Sequence, residues 1–156
     1  MQTVLITGAA GDIGTRLRKL FPDLKVDIVL PPQTLLLYVH PALIEQALFN
    51  ILENAARFSP PGEPVRVVVR PKGEQIQMDV IDRGPGIPED ERVRIFDMFY
   101  SVSRGDRAPQ STGLGLAICR GMIGAHGGSV EALPGDGVGT TIRITLPLPA
   151  PPANHA

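Results

Sequence analysis

Apolar and polar positions along the chain follow two different periods, and the changes of period predict where strands and helices lie. Short apolar runs with strand character cover residues 3–7, 25–30 and 34–39. From Pro41 onward, apolar residues recur every three or four positions, which is the spacing of an amphipathic helix. Pro41 suits the first turn of this helix, and the breaker-rich stretch SPPGEP ends it.

The second half of the chain alternates between the same two periods. VRVVVRP and EQIQMDVID flank a KGE turn and predict a β-hairpin, while GSVEAL and TTIRITLPL predict two strands joined by PGDGVG. Helices are predicted over residues 12–20, 90–99 and 113–126. This order predicts an α/β fold, an α+β two-layer sandwich in which helices pack on one face of a mixed, mostly antiparallel sheet.

Composition excludes several classes of protein. The 156 residues suit one domain, and 15 basic against 16 acidic side chains give none of the basic excess of a nucleic-acid binder. No apolar run approaches the roughly 20 residues of a membrane helix, so the chain is not expected to be membrane-embedded. The single cysteine, Cys119, excludes an internal disulfide and fits the cytoplasm.

The stretch TVLITGAAGDIG, residues 3–14, resembles the start of NAD-dependent epimerases and dehydrogenases, in which a pyrophosphate sits at a helix N-terminus. Such a domain needs several further βα units, and Asp27 follows too soon to be a ribose ligand. We therefore interpret residues 1–23 as an extra N-terminal strand–helix segment. An NAD-binding oxidoreductase fragment remains a third hypothesis for the function.

One face of the predicted central helix is polar. Asn50, Asn54 and Arg57 lie at i, i+4 and i+7, and Gln46 and Glu53 border them. Amide oxygens can ligate Mg²⁺, which prefers hard oxygen ligands, and a guanidinium can neutralise phosphate. The stripe predicts a site for a metal-bound polyphosphate; the alternative is the solvated face of a surface helix.

DRGPGI places a carboxylate at the end of a strand. Asp82 can accept a hydrogen bond from an exocyclic amine such as that of adenine, and Gly84 and Gly86 let the backbone approach a flat ring. Thr140, in GDGVGTT, can join Asp82 if the last strand lies alongside. The alternatives are a plain Asp-Gly turn and a hairpin turn.

TGLGLAI opens a helix on glycines. Free N–H groups at that end, near Gly113 and Gly115, can bind phosphate; the alternative is a flexible helix start. The polar, breaker-rich residues 100–112 precede it and predict a mobile loop, in which Arg104 and Arg107 are possible phosphate contacts or merely solvated arginines.

Taken in order, these motifs resemble one family. Residues 24–148 resemble the ATP-binding catalytic domain of sensor histidine kinases, in the Bergerat-fold (GHKL ATPase) superfamily. NILENAARFS resembles the N box, DRGPGI the first glycine box, IFDMF the F box and TGLGLAICRGMIGAHGG the second glycine box. The combination is most similar to KdpD-like potassium-sensor kinases.

The resemblance implies roles for single residues. Asn50 and Asn54 would hold Mg²⁺ against the phosphates of ATP, with Asn50 and Arg57 serving phosphoryl transfer. Asp82 would accept from adenine N6, partly through a water shared with Thr140. Residues 100–112 would form a lid over the nucleotide. Further nucleotide contacts are implied for Gly84, Gly86, Phe96, Phe99, Gly113 and Gly115.

The family transfers the γ-phosphoryl group of ATP to a histidine, and this defines the expected partners. His40, His126 and His155 do not stand in the H-E/D-x-x-x-P-like context of an acceptor. The acceptor is therefore expected on a separate histidine-bearing dimerisation domain, and a response regulator is expected downstream. The chain alone should bind ATP without autophosphorylating. The parent kinase is expected in the inner membrane with this domain in the cytoplasm, and residues 149–156 are expected to be a disordered tail.

Two other functions stay open. A non-catalytic ATP-binding switch would carry the same motifs. A gyrase-like or Hsp90-like ATPase is disfavoured, because those relatives carry a water-activating glutamate where this chain has Asn50, and an amide is a poor base.

Overall fold

The computed structural model describes residues 2–5, 10–33, 35–97, 115–135 and 137–149. The predicted helix that starts at Pro41 is confirmed and ends at Phe58. In chain order the elements are β1 (Gln2–Leu5), α1 (Ala10–Leu20), β2 (Val26–Val29), β3 (Leu36–Val39), α2 (Pro41–Phe58), β4 (Val65–Lys72), β5 (Gln75–Ile81), α3 (Gly115–Ala125), β6 (Ser129–Pro134) and β7 (Thr140–Pro147).

The main sheet has five strands in the order β2-β4-β5-β7-β6. β2 runs parallel to β4, and the other neighbours are antiparallel. The predicted hairpin is β4–β5, and the mixed, mostly antiparallel sheet is confirmed. β1 and β3 form a separate two-stranded antiparallel sheet.

The core lies between one face of this sheet and the helices α2 and α3. Alternate residues of β5 and β7 point into it, because successive side chains of a strand face opposite sides. Ile76 stands opposite Leu146, and Met78 stands opposite Ile144. The most deeply buried helix residues that pack against them are Ala47, Ile51, Cys119 and Ile123.

The other face of the sheet is polar. Asp79 of β5 is 6% exposed there, because arginines of both neighbouring strands cover it. Arg143 donates from Nε and from a terminal nitrogen at 2.9 and 3.0 Å, and Arg70 lies at 3.5 Å. The hydrogen-bonded Asp79 carboxylate raises the pKa of the Arg143 guanidinium.

Helix α1 packs against α2. Leu17 and Phe49 are buried together, and the Arg16 guanidinium lies 3.8 Å from the centroid of the Phe49 ring, a cation–π contact. The N-terminal segment is thus held to the rest of the fold by apolar packing at α1 and by the pairing of β1 with β3.

One predicted element is wrong. Instead of a single helix over residues 90–99, the structure has two short 3-10 helices, Glu89–Glu91 and Arg94–Phe96. An amphipathic α-helix would bury Val93 together with Phe96, three positions on. Val93 is 75% exposed while Ile95 and Phe96 are buried, so the buried positions do not follow the period of one continuous amphipathic α-helix. Among the described helices, none has the length and apolar character needed to cross a bilayer.

Candidate functional site

The polar stripe of α2 is half-buried and internally bonded. Asn50 Oδ1 accepts a hydrogen bond from Gln46 Nε2 at 2.8 Å, and Asn50 Nδ2 donates to the carbonyl of Gly115 at 3.4 Å. Arg57 is paired with Glu53 at 2.8 Å. Asn54 lies one turn beyond Asn50, and its side chain has no hydrogen bond to a described residue. Among the described residues, the stripe therefore carries one amide held at both ends and one amide that is not.

Helix α3 lies antiparallel along α2, and three polar contacts connect the two helices. The N–H of His40 donates to His126 Nε2 at 3.0 Å, the thiol of Cys119 donates to the Ala47 carbonyl at 3.2 Å, and Asn50 contacts Gly115. Later residues of α2 contact earlier residues of α3, as expected for antiparallel helices. These three contacts therefore bring the first turn of α3 beside the polar stripe of α2.

His126 is a neutral imidazole in this arrangement. Its Nε2 accepts from a backbone N–H, so its Nδ1, 2.7 Å from the Met122 carbonyl, must be the protonated nitrogen that donates. The two bonds join the N-terminus of α2 to the end of α3. This is a structural role, and the sequence alone did not reveal its partner.

Cys119 is fully buried at the middle of the same contact. Burial raises the pKa of its thiol from 9.0 to about 12, although hydrogen bonding, including one with the Asn50 side chain, acts in the opposite direction. The group is therefore a protonated thiol at neutral pH and serves packing rather than nucleophilic chemistry.

Asp82 lies directly after β5 and is 4% exposed. Its Oδ1 accepts from the backbone N–H of Gly84 at 2.9 Å and from that of Thr140 at 3.2 Å. Its own N–H donates to the Thr140 carbonyl at 2.9 Å. The pairing of β5 with β7 thus brings Thr140 against Asp82, and two backbone donors fix the orientation of a buried carboxylate.

At three positions around Asp82 the structure favours glycine, either because a side chain would overlap the backbone or because the φ angle is positive. A Cβ on Gly84 would overlap the Phe58 carbonyl, and one on Gly139 would overlap the Asp82 carbonyl. Gly86 and Gly139 have φ values of +80° and +86°, which L-residues rarely adopt. The close approach of Gly139 is the part of this site that sequence reasoning missed; its position just before Thr140 was the available signal.

The remaining predicted site residues are distributed as follows. Phe96 is buried in the core at the end of the second 3-10 helix, and Gly115 begins α3 beside Asn50. The other predictions lie outside the described residues: Phe99, Gly113, the lid over residues 100–112 with Arg104 and Arg107, and His155.

The opening stretch does not build a dinucleotide site among the described residues. β1 pairs antiparallel with β3, whereas a dinucleotide-binding unit is made from parallel strands. Asp27 is exposed on β2 at the edge of the main sheet and stands opposite Arg66. The residues between β1 and α1 lie outside the described part of the chain.

Comparisons with known proteins agree on one family. The sequence model described as "Histidine kinase-, DNA gyrase B-, and HSP90-like ATPase" matches residues 39–150. Sensor protein KdpD of Clostridium acetobutylicum is 33% identical over 144 residues, which are 92% of this chain and 16% of that protein.

Solved structures give the same result. A mycobacterial sensor histidine kinase MprB superposes with a TM-score of 0.87 at 30% identity, over 94% of this chain and 98% of that one. Full-length ShkA in complex with AMPPNP superposes with a TM-score of 0.76 at 25% identity, over 99% of this chain and 33% of that one.

Proposed function

Because the chain belongs to the histidine kinase-, DNA gyrase B- and HSP90-like ATPase family, we propose that it binds Mg-ATP as the catalytic domain of a sensor histidine kinase. The observation that carries the proposal is Asp82: a buried carboxylate oriented by two backbone donors, with glycines packed around it. The chain spans 16% of the length of the KdpD relative, so phosphoryl transfer by the whole protein is part of the proposal.

In this proposal, Asp82 recognises the adenine base of ATP. Its carboxylate accepts from the exocyclic amine, partly through a water shared with Thr140, and the backbone at Gly84 and Gly86 lies against the ring. A base without an amine at that position would not donate to this buried carboxylate, and the loss of that charged hydrogen bond would weaken binding. The AMPPNP bound in the ShkA structure, an analogue of ATP, supports a nucleotide site in this fold.

The polar stripe of α2 receives the phosphates. Asn50 and Asn54 offer amide oxygens, the hard ligands that Mg²⁺ prefers, and the donor set fits because both half-buried amides lie one turn apart on the same face of α2. When bound, Mg²⁺ neutralises charge on the phosphates. Arg57, held by Glu53, contacts phosphate. The lid-side contacts belong to Phe96, Phe99, Gly113 and Gly115.

The amide at Asn50 favours transfer over hydrolysis. An amide orients a ligand but does not remove a proton from water, so the domain positions the γ-phosphoryl group for an external acceptor. We propose that residues 24–148 are this domain, that residues 1–23 are an additional strand–helix segment, and that residues 149–156 are a tail. The partners are a histidine-bearing dimerisation domain and a response regulator, on the cytoplasmic side of the membrane that holds the parent kinase.

Calorimetric titration tests nucleotide binding. The wild-type protein should bind ATP in the presence of Mg²⁺ and should not bind NAD⁺. Asp82→Asn should weaken ATP binding at least tenfold, because loss of a charged hydrogen bond costs about 1.5–3 kcal/mol. Asp27→Asn is the matched control, since Asp27 is exposed on β2, and should bind ATP as the wild type does. Binding of NAD⁺ without ATP would overturn the proposal.

A second experiment separates the kinase from a non-catalytic switch. The protein is mixed with ATP, Mg²⁺ and a helical hairpin that carries an acceptor histidine of the KdpD type. Acid-labile phosphohistidine on the hairpin supports the kinase. Tight ATP binding without transfer supports the switch.

A further inference from the structure

The side chain of Asn50 has two chemically different ends, and only its oxygen can ligate a cation. In the structure both ends have partners of the matching kind. A donor, Gln46 Nε2, faces Oδ1 at 2.8 Å, and an acceptor, the Gly115 carbonyl, faces Nδ2 at 3.4 Å. The amide is therefore held in one of its two orientations before any ligand arrives.

We propose that Gln46 is a positioning residue that presents the Asn50 oxygen to Mg²⁺. This inference rests on the proposed function, which makes Asn50 a metal ligand. An amide oxygen has two lone pairs, so the bond from Gln46 leaves one for the ion. Without that bond, the terminal torsion of Asn50 is soft and both orientations become accessible.

Gln46 contributes more to this orientation than Gly115 does. Its bond of 2.8 Å is short for an amide donor, whereas 3.4 Å is at the long end for N–H···O. Gln46 and Asn50 are also four residues apart on one helix, so their backbone positions are fixed relative to each other. Asn54, the other proposed ligand, has no such holder among the described residues. Of the two proposed ligands, Asn50 is thus the one whose amide is oriented before Mg²⁺ binds.

Gln46→Glu gives the most discriminating test. The carboxylate has nearly the same size but only accepts hydrogen bonds, so it attracts Nδ2 of Asn50 and turns the oxygen away. Its negative charge taken alone would attract Mg²⁺. Positioning therefore predicts that more Mg²⁺ is needed, and simple electrostatics predicts that less is needed.

The measurement is ATP affinity over a series of Mg²⁺ concentrations, starting from chelated metal. The Mg²⁺ concentration at half-maximal effect should rise about three- to tenfold in Gln46→Glu and in Gln46→Met, which keeps length and loses the donor. ATP affinity without metal should change less than twofold. Glu45→Met, one position off the stripe, is the control and should match the wild type.

Each other outcome has a distinct meaning. An unchanged or lowered Mg²⁺ requirement in both Gln46 variants overturns the positioning role, and so does an equal loss of affinity with and without metal, which would indicate a merely structural role. Failure of the wild type to bind Mg-ATP overturns the proposed function itself, before any Gln46 variant is measured.

Discussion

Replacing Gly139 with alanine should disrupt the Asp82 site. Gly139 has a φ of +86°, and an added Cβ would overlap the backbone carbonyl of Asp82. The start of β7 must then move away from the end of β5. Gly137, two residues earlier, has a φ of +80° and nothing within 4 Å of an added Cβ. It therefore offers a matched control.

The difference between the two variants can be worked out from the structure. Both pay about 1–2 kcal/mol for an L-residue in the left-handed region. Only Gly139→Ala also separates Asp82 from Thr140, which breaks the bonds at 2.9 and 3.2 Å. At about 1 kcal/mol each, these add about 2 kcal/mol. Gly139→Ala should therefore lose about 3–4 kcal/mol and Gly137→Ala about 1–2 kcal/mol.

Urea denaturation of both variants measures this difference, and an ATP titration of the folded fraction measures its effect on the site. Gly139→Ala should bind ATP at least tenfold more weakly, because the Asp82 carboxylate loses one of its two backbone donors. Equal stabilities for the two variants, within about 0.5 kcal/mol, would refute the argument from close approach.

Three further predictions concern groups that are not themselves proposed ligands. Between pH 9 and pH 11 the wild type should lose about 2 kcal/mol relative to Cys119→Ala, because the buried thiol stays protonated while the unfolded thiol ionises; parallel stability curves would contradict this. His126→Asn keeps the donor to the Met122 carbonyl, and His126→Gln keeps the acceptor for the His40 N–H. Each variant loses one of the two hydrogen bonds, so thermal unfolding should show a loss of about 1–2 kcal/mol in the free energy of unfolding. If neither variant melts lower, the two bonds do not stabilise the fold. Arg143→Met should cost about 2 kcal/mol, because the buried Asp79 carboxylate would keep only the Arg70 guanidinium, 3.5 Å away, as an arginine partner. Arg83→Met, at an exposed ion pair, should cost under about 0.5 kcal/mol.

Local signals determined how much of the fold could be predicted. Helix α2 was predicted from its first residue to its end, because its period, its opening proline and the following breaker all act within a few residues. The β4–β5 hairpin was predicted for the same reason. The 3-10 helices were not, since their formation depends on burying Ile95 and Phe96 in a distant core.

Long-range pairings limited the prediction of the site. Asn50, Asn54 and Arg57 share a face by helical geometry alone, which the sequence reveals. The bond between Asp82 and Thr140 joins residues 58 positions apart, and the sequence predicted it only on condition that β7 lies beside β5. The contact of His40 with His126, 86 positions apart, had no local signal.

The three polar contacts between α2 and α3 affect which changes of chain length the fold can tolerate over evolution. Three contacts, spread over the ten positions or about 15 Å from His40 to Asn50, fix the position of α3 against α2. Doubling the length of a connecting loop costs only about 0.6 kcal/mol. A change of chain length between Phe99 and Gly113 should therefore leave Gly115 in register against Asn50.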